Sequence, residues 1–170
     1  MIFCFIKINF MKSDELDAID LQLLDLLQHD AGLSNVALAE RVHVSPPTCL
    51  RRVRRLSDEG WIERQVAILS RDKLTAHRGH GLQALVEVTL DRQGSEHLDA
   101  FEARAVADAA VQQCWRVSPG PDFMLVIEAR DMPDYLQVSQ RLLTQDANVR
   151  NVKAFFATKR AKFGTQVDLL

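Results

Sequence analysis

Four arginines, Arg51, Arg52, Arg54 and Arg55, stand in the run Ser45-Pro46-Pro47-Thr48-Cys49-Leu50-Arg51-Arg52-Val53-Arg54-Arg55-Leu56. Like charges this close repel one another, and a polyanion relieves the repulsion by exchanging its condensed counterions for the arginines. The guanidinium fork also suits phosphate, or the O6/N7 edge of guanine. The same run is compatible with an ordinary solvated helix face. A second candidate constellation is Ser118-Pro119-Gly120-Pro121-Asp122. There Pro and Gly in succession make a tight hairpin, and Asp122 stands at the start of the next strand. Taken by themselves these residues read as a plain turn in which Asp122 satisfies loop N–H groups.

The arginine run needs a helix to display it. Ser45 serves as N-cap, and Pro46 tolerates the first helical position because its missing N–H has no partner there anyway. Helical spacing then turns Cys49, Leu50, Val53 and Leu56 toward a core and fans Pro47, Thr48 and the arginines over the remaining surface. Gly60 ends the helix. Ser34 to Val42 reads as a preceding short helix with Val36, Leu38, Ala39 and Val42 inward, joined through His43-Val44. Two short helices linked by a tight turn, the second basic, are the helix-turn-helix pattern. An earlier helix carries Leu16, Ile19, Leu23, Leu24, Leu26 and Leu27 at helical period. Its outer face holds Asp14, Glu15, Asp17, Asp20, Asp25 and Asp30, acids that phosphate would repel. Trp61 to Ile68 is expected to form a short strand, a wing or hinge, with Trp61 packed into the core. The candidate duplex contacts are Asn35, Ser45, Pro46, Pro47, Thr48, Arg51, Arg52, Arg54 and Arg55.

The segments Leu16 to Asp20, Asn35 to Val42, Val44 to Leu56 and Gly60-Trp61-Ile62 resemble the DNA-binding domain of the leucine-responsive/asparagine-operon (Lrp/AsnC) regulators, and the resemblance continues to about Lys159. It implies a sequence-specific DNA-binding transcription factor whose amino acid effector binds between effector domains, and homodimers that assemble further, commonly into octamers. His43 departs from the family, which usually has glycine in this turn; histidine reaches the left-handed region more readily than most residues, so the turn is expected to survive.

The second half of the chain repeats itself. Gly81 to Leu90, Ser95 to Ala107 and Val111 to Ser118 are echoed by Phe123 to Ala129, Pro133 to Gln145 and Val149 to Thr158 at an offset of roughly 40 residues. That βαββαβ order gives a four-stranded antiparallel sheet with helices on one face, the ferredoxin-like arrangement. Ser95 and Asp131 mark the helix entries, and Leu98-Phe101-Ala105 and Tyr135-Val138-Leu142 the inward faces. The fold class is therefore α+β: a winged helix-turn-helix domain over 14–69, a linker over 70–80 and a ferredoxin-like effector domain over 81–160. An extension over 1–13 and a tail over 161–170 flank them. Leu82, Ala84, Leu85, Val86, Val88 and Leu90, with the unbroken run Phe123 to Ile127, are apolar toward both sheet faces. A second copy is the expected cover for the uncovered face, which makes a homodimer.

In the family the Gly-x-x-Asp loop lines the effector cleft. Here Pro119 takes the glycine position, Gly120 follows one residue late and Asp122 keeps its place, so the resemblance assigns effector binding to Ser118, Pro119, Gly120, Pro121 and Asp122 and leaves the amino acid unspecified.

Composition narrows the remaining classes. The 170 residues hold one ordinary or two small domains, and 47% apolar content suffices for packed cores. A net charge of −2 means that attraction to DNA must be local. Cys4, Cys49 and Cys114 form no CxxC pair, which points away from zinc and disulfide frameworks and toward a reducing cytoplasm. His77 and His80 lack the acid or thiol partners of a metal site. Met1 to Phe10 is too short for a membrane span and lacks an export cleavage site, so Met11 is a plausible alternative start. No phosphate loop, nucleophile elbow or supported carboxylate pair is present, so neither a cofactor nor catalysis is expected. Two alternatives share the architecture: an enzyme like the sirohaem decarboxylases, which resemble the family in both domains, and an effector-sensing partner protein without operator binding. The basic stretch Lys159 to Lys162 reads as solvated, or as a contact with DNA or a neighbour.

Overall fold

The computed structural model describes residues 16–70, 73–74, 77 and 81–169. The extension over 1–13, Asp14, Glu15 and most of the linker lie outside the described residues. The chain divides into two compact units, one holding the chain up to Ile68 together with the stretch from Phe163, the other spanning Leu69–Lys162.

The first unit is helical. Helix α1 (Ala18–His29) begins with a reciprocal capping box, in which the Asp17 side chain accepts from the Asp20 N–H and the Asp20 side chain accepts from the Asp17 N–H. Helix α2 (Asn35–Arg41) is capped by Ser34 and α3 (Pro46–Asp58) by Ser45. Between them His43 takes φ 54°, so the turn forms with histidine in the left-handed region. Gly60, at φ 81°, turns the chain out of α3, a conformation that side chains disfavour. Leu23, Leu27, Leu38, Ala39, Val42, Cys49 and Leu56 close one core. Burial of each large side chain contributes about 1.5–3 kcal/mol before the entropy of ordering is set against it.

Three inward assignments fail in this unit. Val36, Leu50 and Trp61 are exposed, while Ile62 packs against the core and donates its N–H to the Leu56 carbonyl. The return of the chain at Ile62 leaves Trp61 outside, where its indole N–H donates to Glu59. Among the described residues Trp61 to Ile68 pairs with no strand, so the short strand expected there is not seen. The tail does more than trail in solvent. Val167 donates its N–H to Gln28 Oε1, and its carbonyl accepts from Gln28 Nε2, both at 2.9 Å.

The second unit is the expected βαββαβ sheet: β1 (Leu82–Leu90), α4 (Ser95–Ala107), β2 (Val111–Arg116), β3 (Phe123–Ala129), α5 (Met132–Ser139, continued by a π turn over Gln140–Thr144) and β4 (Val149–Phe156). The antiparallel strand order is β2-β3-β1-β4. Ser95 is not the cap of α4; Gly94 occupies that position without a side-chain bond, whereas Asp131 caps α5 as expected. Ala84, Val86, Val88 and Leu90 of β1 and Phe123, Leu125, Ile127 and Ala129 of β3 face a core completed by Phe101, Ala105, Tyr135, Val138, Leu142 and Leu143. Phe101 and Phe123 set their ring centroids 4.8 Å apart.

Among the described residues no helix covers the opposite sheet face. Register places Gln113, Val126, Leu85 and Phe155 in one row across the strands, and Trp115, Met124, Glu87 and Lys153 in the next. Leu85, Trp115 and Phe155 are exposed there.

Candidate nucleic-acid interface and effector loop

The recognition helix α3 holds its arginines in two pairs. Arg52 and Arg55 turn back onto α1. Arg52 Nη1 donates to Asp17 Oδ2 at 2.7 Å and Asp20 Oδ1 at 2.9 Å, and Arg55 Nη2 donates to Asp20 Oδ2 at 2.6 Å. Asp20 is only 1% exposed, so the acid expected on the outer face of α1 is enclosed against α3. Helical periodicity placed it outside because its partners lie more than thirty residues further along the chain. The Asp17 carboxyl is held below its ordinary range, chiefly by the Asp20 N–H and also by Arg52. Arg52 is raised, chiefly through its bond to Asp17 and then that to Asp20. The expectation of four exposed arginines is thus corrected to two.

Arg51 and Arg54 are exposed and form no ion pair among the described residues. They share a face with Pro47 and Leu50, at the three- and four-residue spacings of one helical stripe. Pro47, Leu50, Arg51 and Arg54 line a shallow surface groove along α3, closed toward its C-terminal end by Arg55, Asp58 and Glu59. The first turn is fixed from two sides. Ser45 Oγ accepts the Thr48 N–H at 3.4 Å and bonds Thr48 Oγ1 at 2.9 Å, while Asn35 Nδ2 donates to the Pro46 carbonyl at 2.8 Å. Asn35 therefore ties the start of α2 to the start of α3. Ser45, Pro46 and Pro47 remain exposed beside the outward arginines.

In the second unit the loop Val117 to Asp122 joins β2 to β3. Gly120 takes φ 126°, a region that side chains rarely enter, and the Ser118–Pro119 peptide is cis. Asp122 behaves as an extra rung of the sheet. Its N–H donates to the Val88 carbonyl at 2.9 Å, and its Oδ2 accepts from the Leu90 N–H at 2.6 Å and from Gln93 Nε2 at 3.3 Å. The structural role weighed for Asp122 is thus present, directed at β1 rather than at its own loop. Pro119 and Pro121 offer no N–H, and the Ser118 and Gly120 N–H groups have no partner among the described residues. Arg116, bonded to Asp99 and Glu102 of α4, anchors the entry to this loop.

This geometry sets the expected outcome of replacing Asp122. Asp122→Ala leaves the buried Leu90 N–H without its acceptor and should destabilise the second unit by about 1–3 kcal/mol. Asp122→Asn, which keeps an acceptor oxygen, should retain most of that stability. Urea denaturation read by amide exchange at Leu90 separates the two, and equal stability of Asp122→Ala and the parent chain would remove Asp122 from the sheet's support.

Residues 16–63 match the winged helix-turn-helix DNA-binding family, and residues 83–167 match the Lrp/AsnC ligand binding domain. The two together define a DNA-binding transcriptional regulator that carries its own ligand-binding unit. The leucine-responsive regulatory protein of Rhizobium meliloti is 37% identical over 155 residues, covering 91% of this chain and 97% of that protein. The Bkd operon transcriptional regulator of Pseudomonas aeruginosa is 34% identical, covering 85% of this chain and 92% of that protein. A transcriptional regulator of Neisseria meningitidis, solved in complex with L-Met, superposes with a TM-score of 0.78 at 30% identity, covering 91% of this chain and 97% of that one. The chain belongs to the Lrp/AsnC family.

Among the described residues no group of His, Cys, Asp or Glu side chains is arranged to hold a metal ion, and no helix is long and apolar enough to cross a membrane. Burial pushes the Cys49 and Cys114 thiols up, away from the reactive thiolate form.

Proposed function

We propose that α3 enters the major groove with Pro47, Arg51 and Arg54 toward the duplex, and that Ser45, Pro46 and Thr48 present its first turn to the phosphates. Arg52 and Arg55 orient the helix through Asp17 and Asp20 instead of neutralising phosphate, and Asn35 fixes its start. The observation that carries this reading is the division of the four arginines into a paired inward set and an outward, exposed set without ion pairs among the described residues. An exposed cationic stripe on a recognition helix favours DNA over the decarboxylase and partner-protein alternatives, and the protein is read as a cytoplasmic regulator without catalytic activity.

The effector is an amino acid, held beside Ser118, Pro119, Gly120, Pro121 and Asp122 once a second subunit completes the cleft. Support comes from the ligand-binding family match and from the Neisseria relative's complex with L-Met. The loop's Ser118 and Gly120 N–H groups are the donors available for a carboxylate. The uncovered apolar sheet face is covered by the same face of a second copy, giving a homodimer with two recognition helices at fixed spacing. Octamers follow from the family likeness. An effector changes DNA binding to the extent that it binds the competing assemblies or DNA geometries unequally.

Anisotropy titrations on the DNA upstream of its own gene, with competitor DNA and a panel of amino acids, test this reading. Binding that resists competitor and responds to one amino acid supports it; persistent weak, salt-sensitive binding across other operators favours the alternatives. Across a salt series, Arg51→Ala and Arg54→Ala should each lower the log–log slope by about one unit. Unchanged slopes would take both residues out of the phosphate footprint.

A further inference from the structure

The outward stripe of α3 sets an apolar leucine, Leu50, among its cationic side chains. Leu50 is 40% exposed although helical spacing assigns it to the core. A single exposed leucine is ordinary on a protein surface, but this one sits within a cationic strip. Pro47 precedes it by one turn, Arg51 is its neighbour and Arg54 follows by one turn, and all four line the same groove. It is the fifth residue of α3, in the N-terminal half that a recognition helix turns to base edges. The floor of the major groove offers one apolar group, the C5-methyl of thymine; the other base edges there present hydrogen-bond donors or acceptors. A leucine pressed against a donor or acceptor would strip it of water and give nothing in return. Pressed against a methyl, both partners lose apolar surface to water.

Resting on the DNA-binding reading above, we propose that Leu50 is a specificity-determining residue that reads a thymine methyl in the major groove, while Arg51 and Arg54 supply the flanking electrostatic hold. The arginines bring α3 onto any duplex, and Leu50 makes the fit depend on the base beneath it.

The test uses the full chain and a duplex selected by that chain from a randomised pool. Each thymine of the selected sequence is replaced in turn by deoxyuridine, which removes the methyl and leaves base pairing unchanged. One position per half-site should weaken binding about fourfold, the worth of one buried methyl-sized group. In Leu50→Ala the same replacement should be neutral, and in Leu50→Met, which keeps an apolar reach, most of the dependence should return. Circular dichroism checks that both variants are folded. A parent chain indifferent to deoxyuridine at every position, or a Leu50→Ala variant with the parent's dependence, overturns the inference while leaving DNA binding intact. A chain that selects no duplex overturns the DNA-binding reading and this inference with it.

Discussion

Asp20→Ala is expected to cost the first unit about 3 kcal/mol, because it removes the shared acceptor of Arg52 and Arg55 and half of the α1 capping box at one stroke. The value sits at the lower end for a broken buried ion pair because both arginines keep part of their surface in water, with side-chain exposures of 21% and 33%. Asp20→Asn retains one acceptor and the shape, and should lose less. Urea denaturation followed by amide exchange at Leu56, in the core of α3, reports the change for this unit alone. DNA binding should weaken in Asp20→Ala, since α3 loses most of its hold against α1 while Arg52 keeps Asp17 and Arg55 keeps Glu59 as ion-pair partners. A destabilisation below about 1 kcal/mol would show that solvent holds the two arginines as well as Asp20 does.

The second large effect concerns assembly. Leu85 lies at the centre of the uncovered sheet face, in the row shared by Val126 and Phe155, and is 41% exposed. Leu85→Asp should therefore leave the subunit folded while placing a carboxylate in the middle of the proposed apolar subunit contact. Desolvating that charge without a partner costs at least about 3 kcal/mol, which is a weakening of dimerisation by more than about 100-fold. Light scattering after gel filtration at micromolar concentration should show a monomer where the parent chain shows a dimer. A monomeric parent chain, or a Leu85→Asp dimer of unchanged stability, would refute the face-to-face dimer.

The second unit was the more legible part of the sequence. Phe123–Ala129 and Ser95–Ala107 begin and end where the apolar pattern places them, because strand alternation and helical period each answer to a nearby core. The cap of α4 was misplaced by one residue, since Gly94 caps through its backbone alone and leaves no side-chain signal. In the first unit the recognition helix was legible from Ser45, Pro46 and the basic run. The division of its arginines was not. Arg52 and Arg55 resemble Arg51 and Arg54 in composition and differ only in facing Asp17 and Asp20, residues that one-dimensional spacing assigns to solvent. Leu50, Val36 and Trp61 failed for a related reason: helical period gives the width of an apolar stripe but not where the neighbouring helices stop covering it. Asp122 was legible as important, but not as a support for Leu90 across the sheet.

The paired bonds between Gln28 and Val167 change what counts as a whole DNA-binding fragment. The chain leaves the first unit at Ile68 and re-enters it at Phe163, so that unit is assembled from two stretches of sequence. A clone stopped at residue 68 would omit one of its pieces, leaving the Gln28 amide to find water in place of Val167. A single protease cut between the units would likewise yield a nicked species, in which α1 still grips a tail belonging to the other fragment, rather than two fragments that drift apart.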